Sequence, residues 1–473
     1  MPDHAESLAT LPASHSVAQL RSDSYGLHKG VLSPLETLAQ SVSTMAPSTS
    51  PALTIPLVFA LAGNATWLVY LVTLLAMLPV GFCVSQFARF SSSPGSLYSY
   101  TAETLSPWPG ALAGWALLLA YLATGASVAG GALYYANIFL LHYADILPPA
   151  PLVLGIVFLL AGFIAMRDVK LSAQLMLWIE IISVGLIVLV LLIAFIRSGF
   201  AIDGDQLSLR GVRFNSLGPA IVLSMFSFVG FESATTLGGE AHEPLKTIPR
   251  AVLQCVLLAG LFFVLCAYGE VAGFRLVHAR LTDATSPLHL IANQAGVSLL
   301  GTAIDLGAFV SMFACVLACL TASSRVLLKM SHTGLLPSAL SRTHRRFGTP
   351  AIGIAVSGAT MFAMTLAVSL SGTTASDIYG WFGSISVFGF LTAYALVAVA
   401  LPFAHRLAGR RSRGIVIASA VTVVIAIAAL LGSVFPVPLA PALWFPYLYL
   451  AYLAVGMGWF QLRRRWVRES SAS

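Results

Sequence analysis

The stretch FSFVGFESATTLGGEA, residues 226–241, begins like a membrane helix and then departs from one. An acid, Glu232, directly follows Gly230 and Phe231, and two more glycines precede a second acid, Glu240. An ionised side chain inside a bilayer costs roughly 2.5–3.5 kcal/mol on insertion scales. A chain with few charges is therefore expected to hold a carboxylate here only where the backbone or a ligand needs it.

The composition of the whole chain predicts a membrane protein. Of its 473 residues, 58% are hydrophobic and 9% are charged, whereas a soluble protein is about 25% charged. About 20 apolar residues cross a bilayer as a helix, and such runs predict an all-α polytopic membrane protein with twelve transmembrane helices. The predicted helices span residues 33–62, 66–90, 109–141, 149–166, 171–196, 217–239, 249–274, 299–330, 350–370, 378–404, 414–434 and 442–462.

The lysines and arginines predict the orientation of these helices. With the N-terminus inside, all but five of the 25 fall in segments on the cytoplasmic side, as the positive-inside rule requires. Both termini are therefore predicted to be cytoplasmic, in a multi-pass protein of the cytoplasmic membrane. The basic runs are interpreted as anchors at the lipid bilayer and not as a nucleic-acid site.

Two of the predicted helices contain a break. In the first, residues 46–51 read APSTSP, and two prolines bracket Ser48, Thr49 and Ser50. Proline removes a backbone donor and disfavours helix in the residue before it, here Ala46. The second break lies in the sixth helix, in the stretch quoted above. Breaks at membrane depth are tolerated where they line a cavity, and transporters bind substrates there. The alternative is a proline kink and a glycine-rich packing contact without a ligand.

The first and sixth helices hold corresponding positions in two halves of five helices, which predicts a five-plus-five inverted repeat with discontinuous helices 1 and 6. Four segments follow from this prediction. They are a cytoplasmic N-terminal tail (1–31), a ten-helix transport core (32–404), helices 11 and 12 (405–462) and a cytoplasmic C-terminal tail (463–473).

Four motifs in the same order resemble the amino acid–polyamine–organocation transporters over residues 33–404. The stretch FSFVGFESATTLGGEAHEPLKTIPRAV resembles that superfamily's sixth helix and the loop after it. The other three are SSPGSLYSYTAETLSPWPGALAGW, between helices two and three, SSRVLLKMSHTGLLPSALSRTHRRFGTP, between helices eight and nine, and YGWFGSISVFGFLTAYALVAVALPF, in helix ten. The resemblance implies alternating-access transport of amino acids or related amines.

The resemblance also implies which residues bind the substrate. Its carboxylate would meet N–H groups and hydroxyls at the first break, and its ammonium would meet carbonyls at the second. The residues so assigned are Ala46, Ser48, Thr49 and Ser50 at the first break and Phe226, Ser227, Phe228, Val229 and Gly230 at the second. Phe226 falls where arginine–agmatine antiporters of this superfamily have a gating tryptophan. The first break departs from the superfamily, which commonly has a Gly-Ser-Gly type stretch there.

Two acids within predicted helices are candidates for coupling or gating. Glu180 lies near the middle of helix five, where the resemblance implies a lysine in many proton-coupled members. A buried carboxylate there could be neutral and bind a proton reversibly, or stay ionised and bind a cation. Glu232 lies at the second break and can accept from free N–H groups there, which would brace the unwound turn. Glu270 and Glu36 lie near the ends of predicted helices, where water or lipid headgroups are expected to solvate them, and are interpreted as structural.

These observations predict a secondary active transporter for amino acids or similar amines, with a preference for neutral amino acids. Proton coupling is the first hypothesis, with sodium coupling or exchange as alternatives. The sequence contains no phosphate-binding motif and no zinc spacing, so neither a cofactor nor a metal is expected. A channel would need a continuous polar lining, and an intramembrane enzyme a nucleophile with its base at mid-membrane.

Overall fold

The computed structural model describes residues 25–277, 280–435 and 437–472. In order, its helices are α1 (Pro34–Met45), α2 (Ile55–Ala62), α3 (Thr66–Ala88), α4 (Ser96–Thr104), α5 (Pro107–Ala144), α6 (Ala150–Arg167), α7 (Val169–Arg197), α8 (Gly204–Leu207), α9 (Leu217–Met225), α10 (Pro244–Leu276), α11 (Pro287–Gln294), α12 (Ser298–His332), α13 (Ala351–Leu370), α14 (Ala375–Leu407), α15 (Arg413–Gly432) and α16 (Phe445–Ala472). The described residues form no sheet, and one isolated bridge pairs Leu32 with Ala241. The prediction of an all-α protein is confirmed.

Ten stretches of the described residues are long and apolar enough to cross a membrane. The first, Pro34–Ala88, has 55 residues and would be about 80 Å long as one helix, against a hydrocarbon core of about 30 Å. It turns back at Gly63, where φ is +55°, and α2 then packs against α3. The apolar helix Phe214–Met225 is shorter than a full crossing. The count of twelve crossings and the inverted repeat remain predictions.

The helix limits differ from the predicted ones mainly at the C-terminus. Helix α16 continues to Ala472, past the predicted end at residue 462. Most of the predicted N-terminal tail, residues 1–24, lies outside the described residues. We call the side that carries residues 198–216 and 280–297 the outer side and the opposite one the inner side, following the predicted orientation.

The long helix α5 runs through the centre of the bundle, packed between α12 and α14. Its small residues permit this close packing. A Cβ on Gly130 would lie 2.6 Å from a side-chain carbon of Ile378, and one on Gly131 would lie 2.8 Å from the sulfur of Met312. Membrane helices commonly meet through such small residues, because dispersion contacts replace the hydrophobic driving force. The helices α5, α12 and α14 therefore form a fixed frame for the interrupted helices.

On the outer side, Arg275 at the end of α10 joins three separate segments. It forms ion pairs with Asp203 and with Asp205, the latter at 2.7 Å, and donates to Asn64 at 2.9 Å. The hydrogen bond from Arg275, together with its positive charge, holds the pKa of Asp205 below its usual value. A lowered pKa means that this carboxylate stabilises the fold above about pH 4 and stops doing so as pH falls through the lowered pKa.

We expect Arg275→Gln to lower the unfolding temperature, because the two aspartates lose their shared partner. The difference from wild type should be constant above about pH 4 and shrink at lower pH. Thermal unfolding of detergent-solubilised protein across pH measures it. Arg210→Gln is the control, since Arg210 is exposed and lies 3.5 Å from Asp205. A difference for Arg275→Gln that persists unchanged below about pH 3 would contradict this assignment.

Candidate functional site

The first break begins where α1 ends at Met45. Ala46 takes a left-handed conformation, with φ +46°, that non-glycine residues rarely adopt. Its N–H still donates to Val42 at 3.0 Å, and its carbonyl accepts from the Thr49 N–H at 2.9 Å. A π-helix, Ser50–Thr54, then carries the chain into α2. Proline at position 47 excludes a straight helix here, so the break follows from local covalent structure.

The three hydroxyls of the first break have different partners. Thr49 Oγ1 donates to the Ala46 carbonyl at 2.6 Å and so closes the turn. The hydroxyls of Ser48 and Ser50 are buried and have no hydrogen-bond partner among the described residues. Buried polar groups are normally paired. These two serines therefore retain hydrogen-bonding capacity that the fold itself does not use.

The second break begins after α9 and contains Gly230, whose φ is +94°. A Cβ at this position would lie 2.6 Å from the Thr44 side chain, so only glycine fits against α1. Among the described residues, no donor reaches the carbonyls of residues 226–229. A short 3₁₀ helix, Ser233–Leu237, follows. The break thus leaves a run of free acceptors, as predicted.

Side chains of α1 satisfy the remaining polar groups of the second break. Ser41 Oγ donates to the Phe231 carbonyl at 2.5 Å and accepts from the Ala234 N–H at 3.0 Å. The Thr44 and Ser233 hydroxyls bond at 2.7 Å. The two interrupted helices are therefore joined to each other on one side of the break, and the acceptors that remain free lie on the other side.

A small cavity of about 10 Å³ lies between the two breaks. Its lining comprises Thr44, Met45, Thr49, Thr124, Val128, Phe226, Ser227, Val229 and Tyr379. The predicted residues within this lining are Thr49, Phe226, Ser227 and Val229. The predicted residues outside it are Ala46, Ser48, Ser50, Phe228 and Gly230. The volume is close to that needed for one water molecule, so the lining elements must separate before an amino acid can enter.

Two lining residues, on the third and tenth predicted helices, were not among the predicted site residues. Tyr379 on α14 bonds to the Thr54 hydroxyl at 2.8 Å, and its ring packs edge-on against Phe226 at 5.4 Å. Thr124 on α5 has a buried hydroxyl without a partner among the described residues. Tyr379 opens the tenth-helix motif quoted above, which was the available signal. Phe228 instead packs away from the cavity against Phe263.

Glu232 is fully buried and is held by two tyrosines. Tyr121 on α5 donates to one carboxylate oxygen at 2.7 Å, and Tyr394 on α14 donates to the other. The backbone N–H groups of Gly230 and of Glu232 itself also face the carboxylate. The predicted backbone partners are thus present, while the tyrosines were not predicted. Through them, the second break is attached to the fixed frame.

Glu180 lies in α7 and is also buried. Ser311 on α12 donates to one of its oxygens at 2.8 Å, and the other oxygen has no partner among the described residues. One turn further along α12, the Cys315 thiol contacts the Thr44 carbonyl at the end of α1. The carboxylate therefore lies where α1, α7 and α12 pack together.

Arg325 corrects the interpretation of the basic residues as surface anchors. It is 1% exposed, and its guanidinium pairs with both oxygens of Glu240 at 2.6 Å. It also donates to the Thr321 carbonyl at 2.9 Å. Lys329, one turn later, is buried as well and lies 3.4 Å from Glu103. These two cations act inside the protein: on the inner side, Arg325 joins α12 to the segment after the second break, and Lys329 joins α12 to α4.

A sequence model described as amino acid permease matches residues 45–468, which is most of the chain. The chain belongs to the amino acid permease family. It is 24% identical over 360 residues to the branched-chain amino acid permease BcaP of Bacillus subtilis, covering 72% of this chain and 73% of the relative. It is 26% identical to a methylthioribose transporter of the same species, covering 61% and 64%.

Among solved structures, the permease resembles a mutant manganese transporter of Eremococcus coleocola, with a TM-score of 0.60 and 12% identity over 97% of both chains. At this identity the likeness concerns the fold. Amino acids, a thiosugar and a metal ion appear in the names of these three proteins. The fold is therefore common to carriers of very different cargo, and the residues of the site must decide what this permease carries.

Glu232→Gln is expected to reduce transport roughly tenfold or more, in the range of a few kcal/mol for breaking a buried hydrogen-bonded network. An amide nitrogen cannot accept from a tyrosine, so one link to the frame is lost. Amino acid uptake into proteoliposomes measures this. Glu243→Gln, an exposed acid paired with Lys246, is the matched control and should transport like wild type. Wild-type uptake by Glu232→Gln would show that the tyrosine links are not needed.

Glu240→Gln and Arg325→Gln are each expected to lower the free energy of unfolding by about 3–5 kcal/mol, because each leaves a buried charge unpaired. The double variant should lose less than the sum, since both charges are gone. Chemical unfolding in detergent measures these values. Glu243→Gln should change stability by less than about 1 kcal/mol, as exposed pairs do. Additive losses in the double variant would exclude a coupled pair.

Proposed function

We propose that this permease carries amino acids by alternating access through the cavity between the two breaks. Ser227 and Val229 line this cavity, and their carbonyls have no donor among the described residues, which suits a substrate ammonium. At the first break, the buried hydroxyls of Ser48 and Ser50 have no partner among the described residues and are suited to a substrate carboxylate once the lining elements separate. The observation that carries the proposal is that one break leaves acceptors free and the other leaves donors free.

The lining favours a neutral side chain on the substrate. Met45, Val128 and Phe226 are apolar, the remaining lining residues contribute hydroxyls or backbone groups, and no charged side chain lines the cavity. A substrate with an ionic side chain would be desolvated there without a partner, which is costly. The relative named for branched-chain amino acids agrees with this preference.

Alternating access is supported by the closure of the inner side and by the size of the cavity. The Glu240–Arg325 pair closes the inner side, and the cavity is smaller than an amino acid. Substrate entry therefore needs the interrupted helices to move against the frame of α5, α12 and α14. The charge distribution along the sequence supports a cytoplasmic membrane location with both termini inside.

We infer that a proton drives transport and that Glu180 binds it. Its carboxylate has one hydroxyl partner and one free oxygen, and it adjoins the end of α1 beside the first break. A proton neutralises this buried charge without further ligands, whereas a sodium ion would need several oxygens around it. Proton binding at Glu180 can thus act on the same helix that holds the substrate carboxylate.

A thermal-shift screen of the purified protein against the common L-amino acids and putrescine identifies the substrate. Uptake of the best ligand into proteoliposomes with an imposed pH gradient or sodium gradient then tests coupling. We expect accumulation with an inward proton gradient alone, stabilisation by neutral amino acids and none by putrescine. Stabilisation by no amino acid would overturn the proposed function.

Glu180→Gln is expected to lower proton-driven accumulation about tenfold while leaving exchange of labelled for unlabelled substrate near the wild-type rate. Glutamine keeps the shape and the hydrogen bond to Ser311 but cannot exchange a proton. Trp178→Phe, at an exposed position of the same helix, is a control for general changes in α7. Accumulation by Glu180→Gln at the wild-type level and pH profile would remove Glu180 from coupling.

A further inference from the structure

Glu270 in α10 was expected to be solvated near a helix end, and the structure contradicts this. Its side chain is 0% exposed, and neither carboxylate oxygen has a hydrogen-bond partner among the described residues. The other buried acids of the core, Glu180, Glu232 and Glu240, each have at least one. An ionised carboxylate without partners is very costly in a low-dielectric interior. Glu270 must therefore be neutral or gain a partner during the transport cycle.

The groups around Glu270 are hydroxyls and a thiol rather than cations. Tyr70 on α3 and Tyr135 on α5 are close enough to interact with it electrostatically, as is Cys266 one turn earlier on α10. Helix α7 presents Leu191 beside Gly269. The adjacent π-helix of the first break contains no titratable side chain. Among the described residues, no cation is therefore close enough to compensate a charge on this carboxylate.

Towards the cavity, Tyr70 connects Glu270 with the substrate site. The Tyr70 hydroxyl lies 3.2 Å from the hydroxyl of Ser227, which lines the cavity. Glu270 itself does not line the cavity. It is therefore not a receptor for a substrate side chain, but it is one tyrosine away from the site.

Towards the outer side, Tyr135 lies within electrostatic range of both Glu270 and Asp305. Asp305 on α12 accepts from Ser286 and lies 2.6 Å from His289 on α11. His289 is 21% exposed and is the only titratable residue of α11, which packs on α10. From His289 to Glu270 and on to Tyr70, ionisable and hydroxyl groups thus lie within electrostatic range of one another, although among the described residues no hydrogen bond to Glu270 links them.

We propose that Glu270 is a second proton-binding carboxylate, separate from Glu180, on a polar route from the outer surface to the substrate cavity. A proton from outside water adds to the carboxylate and makes it neutral, which allows α10 to stay packed in the closed state. When the proton leaves through the cavity to water on the inner side, the charged carboxylate needs hydration, and the outer side must then open to supply it. The role in coupling rests on the proposed proton-driven transport, whereas proton binding itself does not.

A metal ion is a poorer occupant for this position. Within the described part of the chain, no group of three or more His, Cys, Asp and Glu side chains is close enough to hold one. A proton needs no further ligands, which fits a carboxylate surrounded by phenols.

Infrared difference spectroscopy of the protein in lipid, after a step from acidic to alkaline pH, tests proton binding directly. A buried protonated carboxyl group gives a carbonyl band that is lost on ionisation. We expect wild type and Glu180→Gln to show a band that Glu270→Gln lacks, because glutamine keeps the shape but cannot titrate. A wild-type spectrum from Glu270→Gln would overturn the proposal. Tyr70→Phe keeps the carboxyl group and should retain the band. Its retention would show that the band is lost because Glu270 is replaced and not because any substitution in this region removes it.

Uptake measurements test the role of this proton. Glu270→Gln is expected to lower proton-driven accumulation about tenfold and to make uptake less dependent on external pH, while substrate exchange continues. Unchanged accumulation and pH profile would overturn the role in coupling. If wild type transports no amino acid yet the carboxyl band still depends on Glu270, the proposed function fails and the proton site stands.

Discussion

Backbone groups inside a bilayer have no water to bind, and each unsatisfied group costs several kcal/mol in hydrocarbon. An unbroken helix meets this constraint by itself, and the two interrupted helices do not. Here side chains of one interrupted helix satisfy polar groups of the other, because Ser41 and Thr44 of α1 bond to the second break. What remains unpaired is the row of carbonyls at residues 226–229. These carbonyls are the acceptors that we propose bind the substrate ammonium.

The frame of α5, α12 and α14 holds the free carbonyls of residues 226–229 in position. Tyr121 and Tyr394 come from α5 and α14, which pack closely along each other, and both donate to Glu232. The Glu232 carboxylate accepts from two uncharged phenol hydroxyls, and hydrogen bonds to an ionised acceptor are stronger than those between neutral groups. These two hydrogen bonds hold the second break against α5 and α14, while Ser41 and Thr44 join it to α1.

The sequence predicted those features that depend on neighbours along the chain. The prolines at 47 and 51 and the glycine at 230 interrupt a helix through covalent geometry, so both breaks could be located to within a few residues. The partners of the acids could not be located, since Glu232 and Tyr394 are 162 residues apart and Glu240 and Arg325 are 85 apart. Arg325 looked like an interfacial charge for the same reason. Glu270 was expected to be solvated because it lies near the end of a predicted helix. Its position along a helix does not determine whether its side chain is buried.

The buried carboxylates differ in how their charge is balanced. Glu240 has the positive charge of Arg325 beside it. Glu232 has two phenols and backbone N–H groups, which hold it in place. Glu180 has a single hydroxyl and Glu270 none. The fewer partners a buried carboxylate has, the more its stability depends on whether it carries a proton. We propose that protonation of these two poorly compensated acids, at 3% and 0% exposure, decides which side of the bundle stays closed.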